Sequence, residues 1–147
     1  MPVRLTIGAD AYALAEEHDG EGSGFALLPR GAEALLPSTR PVDEARLEAA
    51  IETAEDWLMP HAARLRGQVL DVSDPTGRLR SGMEDVLAAT TRAWSVQEVE
   101  GFFLRLVDMT TGRLPAPSVA GRQQFVADVL LLRELAHHGQ VREIRLV

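Results

Sequence analysis

The sequence predicts an α+β protein, a layer of four helices packed on a small, mainly antiparallel sheet that includes the N- and C-terminal strands. Three observations predict it. Apolar residues alternate at period two in residues 3–7, and residues 141–147 have a similar strand-like character. From residue 43 onward the apolar spacing changes to that of a helix. A helical block between two strand-like ends is the pattern of segregated layers around one core. The chain is expected to form a single domain over residues 1–147, with 1–41 mainly β or irregular, 42–139 helical and 140–147 a C-terminal strand.

In the first segment Val3, Leu5 and Ile7 alternate with Arg4 and Thr6, and Gly8 ends the run. The last segment also has an apolar face and an arginine-bearing one, so the two ends most simply lie in one sheet. Residues 8–41 carry the weakest signal. Residues 10–18 read either as a short helix capped by Asp10 or as a second strand. Gly20, Gly22 and Gly24 make residues 18–24 a turn or mobile loop, since each glycine raises the entropy cost of ordering. Residues 25–28 read as a short strand stopped by Pro29 and Gly31. A β-meander over residues 3–36 is the preferred reading, with residues 37–41 a linker.

The first helix opens at Asp43, and Leu47, Ile51, Ala54, Leu58, Ala62 and Leu65 form its apolar stripe, widened by Trp57. Pro60 lacks a donor and clashes with the preceding turn, so the helix must kink or restart near Met59, and Gly67 closes it. The second helix is expected from residue 78 or 79 to residue 93. Ser95 and Glu98 form a capping box for the third, which runs to about residue 110, and Gly112 stops it. Pro115 and Pro117 mark a loop. The fourth helix, about residues 119–138, is apolar around most of its circumference and should be the central one.

Composition excludes more chemistry than the motifs support. All fifteen basic residues are arginine, and lysine, cysteine and asparagine are absent. Without lysine there is no Schiff base, no P-loop and no kinase-type phosphate contact; without cysteine there is no thiolate nucleophile or thiolate zinc site. A GC-rich coding sequence produces the same arginine bias, which leaves the exclusions untouched. The net charge of −7 falls wholly in residues 1–73, where thirteen Asp and Glu face six Arg. That acidity disfavours nucleic acid and suits a basic protein partner. No apolar run reaches the length of a membrane span, and no secretory leader is evident, so a cytoplasmic protein is expected.

Four clusters are candidate sites. Arg64 and Arg66, with Arg78 and Arg80, bracket a loop expected from Gly67 to Gly77, and guanidinium forks suit a bound carboxylate or phosphate. His61 and Trp57 lie nearby, and Trp94, Phe102 or Phe103 would line a pocket between helices and sheet. Glu134 and His138 stand four apart on a helix and could face one ion, with His61 or His18 completing the set. Histidines in a last helical turn also suit the helix dipole, so no metal and no cofactor are expected. Glu44, Glu48, Glu52 and Glu55 follow one ridge, beside Asp56, which reads as a solvated face. His18, among Glu16, Glu17, Asp19 and Glu21, reads as a hairpin tip. The absence of a catalytic motif points to a non-enzymatic interaction or assembly module, acting on a protein partner or on itself as a homodimer. The alternative is a small-molecule binding domain or small enzyme that holds an anionic ligand.

Overall fold

Period-two alternation folds the first segment into three antiparallel strands, β1 (Val3–Ile7), β2 (Ala11–His18) and β3 (Glu21–Pro29). The computed structural model describes residues 2–112 and 122–147. Asp19 and Gly20 join β2 to β3 with φ of 51° and 82°, the two positive values that a type I′ hairpin requires. Residues 11–18 are thus strand rather than helix. The alternation Tyr12, Leu14 against Ala11, Ala13 wins because it puts the larger apolar groups beside Ile7 and Leu5 of β1.

The sheet is mixed, not mainly antiparallel. Its order is β3-β2-β1-β4-β6-β5, where β4 is Val69–Ser73, β5 is Ala93–Trp94 and β6 is Glu143–Leu146. β4 runs parallel to β1 on one side and to β6 on the other, while β5 is antiparallel to β6. The two terminal strands share this sheet, with β4 between them. β4 is the element the sequence reading passes over: flanking glycines and Asp71 disguise it as a loop. Leu70 and Val72 are completely buried, which fixes it as a central strand.

The helical side departs from four helices as well. Among the described residues it comprises two single turns, α1 (Ala32–Leu35) and α3 (Ala62–Leu65), the short α4 (Arg78–Asp85), and three long helices. These are α2 (Glu44–Leu58), α5 (Val96–Thr110) and α6 (Gln123–His137). Asp43 caps α2 by accepting from the Arg46 amide at 2.8 Å, and a 3₁₀ turn at Met59–His61 carries Pro60 between α2 and α3. The capping box of α5 forms in full: Ser95 Oγ accepts from the Glu98 amide and Glu98 Oε1 from the Ser95 amide. α4 stops well before residue 93. Ala88 enters the left-handed region at φ 52°, the Ala89 amide bonds back to the Met83 carbonyl, and residues 93–94 join the sheet instead. The expected loop at Pro115 and Pro117, and the first residues of the expected fourth helix, lie outside the described residues.

Strand register assigns the faces. Val3, Leu5, Ile7, Tyr12, Leu14, Leu70, Val72, Trp94, Ile144 and Leu146 are buried on the helix side. Arg4, Thr6, Asp71, Ser73 and Arg145 alternate with them on a face that is only partly covered among the described residues. Every residue of α6 from Phe125 to Leu132 is buried, and this helix packs against α1, α2, α4 and α5. Gly82 makes the α4 contact possible: a Cβ there would overlap the Phe125 ring. No helix among the described residues is long and apolar enough to cross a membrane.

Candidate functional site

Two buried acids, Asp128 and Glu134, interrupt the apolar surface of α6. Asp128 sits at the meeting point of β2, α4 and α6. Its Oδ1 accepts from the Tyr12 hydroxyl at 2.6 Å and from Arg78 Nη2 at 2.7 Å, and its Oδ2 accepts from Arg78 Nε at 2.8 Å. The Arg78 pair is bidentate, the geometry in which a guanidinium binds a carboxylate best. Arg78 Nη1 also donates to Gln124 Oε1, whose amide nitrogen donates to Glu33. Burial pushes the Asp128 carboxyl up to about 6, against the downward pull of the Arg78 guanidinium. Burial likewise pushes the Tyr12 hydroxyl well above its ordinary value, and the Asp128 charge adds to this. Both oxygens of Asp128 have partners, so the arrangement is a closed clasp.

Glu134 is surrounded differently. Its Oε2 accepts from Arg133 Nη1, and Arg133 Nε donates in turn to Glu100 Oε2 of α5 at 2.8 Å. Its Oε1 is buried and has no hydrogen-bond partner among the described residues. The His138 Nε2 atom lies 3.5 Å from that oxygen and 2.9 Å from Glu55 Oε1 of α2. Burial raises the Glu134 carboxyl above its ordinary value, opposed first by the hydrogen bond from Arg133.

A third feature lies at the carboxyl ends of β4 and β6. Thr91, Arg92, Ala93, Arg145, Leu146 and Val147 line an open groove of about 740 Å³. It shares Thr91, Arg92 and Leu146 with a small recess of about 10 Å³ that Arg80, Thr90 and Trp94 also line. Arg145 is 3.1 Å from Asp71 Oδ1, but neither Arg80 nor Arg92 has a side-chain ion pair among the described residues. The Trp94 indole N–H is buried and equally without an acceptor there. Arg80 and Arg92, both exposed, and the buried Trp94 thus line one recess, and among the described residues none of their side-chain donors has a protein acceptor.

The expected four-arginine pocket does not form. Arg64 and Arg66 precede β4 and Arg78 and Arg80 follow it, so the intervening strand of five residues holds the two pairs about 17 Å apart. Arg64 lies 4.9 Å above the Phe25 ring and 3.8 Å from Glu16, and Arg66 is exposed. The His61 ring also contacts Phe25, at 5.4 Å, and Trp57 is half-buried in the helical layer. Arg78 is committed to Asp128. Of that set only Arg80 lines the small recess beside the groove. Glu134 and His138 do come together, but Glu55 joins them rather than His61 or His18. Glu44, Glu48 and Glu52 of the acidic ridge are exposed. Sequence reasoning missed Arg92 and Arg145, which only the pairing of Ala93 with Arg145 brings together. It also missed the clasp, although an aspartate amid the apolar residues 125–132 was a usable signal.

No family model matches the sequence, and no curated protein matches it. Solved structures do share its fold. The PPX-GPPA enzyme of Aquifex aeolicus superposes with a TM-score of 0.68 at 10% identity, over 99% of this chain and 52% of that one. The type II variant of the Aquifex aeolicus Ppx/GppA phosphatase gives 0.68 at 9%, with the same coverage. An exopolyphosphatase from Cytophaga hutchinsonii gives 0.65 at 13%, again over 99% of this chain and 52% of the other. The chain spans about half the length of these proteins. The expectation of a non-enzymatic interaction module is contradicted by these neighbours, which are described as an enzyme, a phosphatase and an exopolyphosphatase. By fold, the chain is similar to about half of a Ppx/GppA-type phosphatase.

Proposed function

We propose that this chain binds a phosphate-bearing anion in the groove at the carboxyl ends of β4 and β6, as a unit with the fold of the Ppx/GppA phosphatases. The observation that carries the reading is a set of donors in the groove and its adjoining recess with no protein acceptor among the described residues: the exposed guanidinium groups of Arg80 and Arg92 and the buried indole N–H of Trp94. A chain of net charge −7 has carboxylates in excess, yet these two arginines pair with none among the described residues. Guanidinium forks match phosphoryl oxygens bidentately, and an indole N–H supplies a single directed bond. The recess has room for about one water-sized group, which suits a terminal oxygen, while the open groove accommodates the rest of an extended anion. An oligophosphate is the simplest ligand of that description, and an exopolyphosphatase is among the neighbours of this fold.

Calorimetric titration with tripolyphosphate tests this, with released orthophosphate assayed in the same samples. Saturable binding is expected, weakened at least tenfold when Arg80→Ala and Arg92→Ala are combined. Phosphate release that the double variant loses would extend the function from binding to hydrolysis. Absence of binding, or equal affinity in the double variant, overturns the proposal.

A further inference from the structure

The incomplete cluster at the C-terminal end of α6 lies apart from the phosphate groove and shares no residue with it. We infer that Glu55, Glu134 and His138 form a binding site for one divalent transition-metal ion of the zinc class. One imidazole nitrogen and two carboxylate oxygens converge, all within 4.8 Å of one another. A tetrahedral ion with metal–ligand bonds of about 2.1 Å sets its ligand atoms about 3.4 Å apart. The His138 Nε2 distances of 2.9 Å to Glu55 and 3.5 Å to Glu134 bracket that edge.

The independent sign of a ligand is Glu134 Oε1. This oxygen belongs to a fully buried side chain, points at the imidazole and has no hydrogen-bond donor among the described residues. An unpaired buried carboxylate oxygen is destabilising unless something cationic reaches it. His138 lies too far for a hydrogen bond of normal length, whereas an ion between the three groups would reach all of them. The surroundings already hold the ligands in place. Arg133 fixes Glu134 through its other oxygen and is itself held by Glu100, the kind of outer support that keeps ligating carboxylates oriented. α2 supplies Glu55, and the last turn of α6 supplies an i,i+4 pair. Glu55 and His138 are each about one-third exposed, so the ion has a path from solvent and room for a water as fourth ligand. The imidazole donor selects against magnesium and calcium, which take oxygen ligands in larger number.

The test is calorimetric titration of the whole chain with ZnCl₂, alongside native mass spectrometry of the same samples. One ion per chain is expected. His138→Ala should weaken binding at least a hundredfold and Glu55→Gln at least tenfold, while His137→Ala leaves it unchanged. His138 and Glu55 are partly exposed, and circular dichroism confirms that each variant is folded before titration. MgCl₂ in place of ZnCl₂ should give no saturable binding. The inference is overturned if the wild type binds no zinc, if His138→Ala and Glu55→Gln bind it as tightly as the wild type, or if magnesium binds equally well.

Discussion

The two buried acids of α6 lie six residues apart, a separation of about 9 Å along the helix axis, and they meet opposite environments. Around Asp128 every acceptor is used: an arginine grips both oxygens and a tyrosine hydroxyl adds a third bond. Around Glu134 one oxygen is gripped and the other is left bare beside an imidazole and a second carboxylate. The same element therefore carries a finished polar network and an unfinished one. Three bonds on Asp128 tie β2, α4 and α6 together, which is a structural task complete in itself. A bare buried oxygen stabilises nothing as it stands, so its presence points outward to a ligand. The Trp94 indole N–H is likewise buried without a protein partner among the described residues, beside the exposed guanidinium groups of Arg80 and Arg92.

The sharpest way to break this contrast is Asp128→Ala. It leaves the largely buried Arg78 guanidinium and the buried Tyr12 hydroxyl without their acceptor, and a loss of about 3–5 kcal/mol in urea unfolding is expected. A loss below about 1 kcal/mol would make the clasp no better than a surface pair.

The clasp also predicts a pH dependence. In the unfolded chain Asp128 takes up a proton only near 3.8, whereas in the folded protein it does so at about 6. Between these values the folded state binds more protons. The stability tied to this group is therefore fully present below pH 3.8 and is lost as pH rises through 6. The separation corresponds to about 3 kcal/mol. Urea unfolding of the wild type relative to Asp128→Asn, followed from pH 4 to 7, should show that decline. A flat difference would mean that Arg78 keeps the acid ionised throughout.

Gly82→Ala attacks the same region from outside. The added methyl must displace the Phe125 ring and with it the approach of α4 to α6, at a cost of about 1–3 kcal/mol by thermal unfolding. Glu134→Gln is the counterpart at the open end and should cost the least, about 1 kcal/mol or less without metal, because Arg133 keeps Glu100 as its partner. The same variant should lose whatever thermal stabilisation ZnCl₂ confers on the wild type, which no purely structural role for Glu134 would predict.

How much of this was legible in the sequence depended on how locally each feature is determined. The alternation in β1, the Asp43 cap, the break at Pro60 and the Ser95–Glu98 box are all set by residues within a few positions, and each formed as the pattern dictates. β4 was hidden because its burial comes from β1 and β6, both distant in sequence, while its own flanks carry turn residues. Misreading it as a loop also drew the four arginines into one imagined pocket. The sites themselves are products of long-range pairing. β5 against β6 places Arg92 near Arg145, and α2 against α6 places Glu55 on His138. The pairing of Glu134 with His138 was the exception, because four residues on one helix need no tertiary contact to be neighbours.

The contrast between the two ends of α6 is tested most directly by a nitrogen–proton correlation spectrum of the wild-type protein titrated with Zn²⁺. Changes are expected only in α2 around Glu55 and in the last turn of α6 around Glu134 and His138, with Tyr12, Arg78 and Asp128 unmoved. Changes centred on Asp128, or scattered over His18 and His61, or none at saturating Zn²⁺, would contradict it.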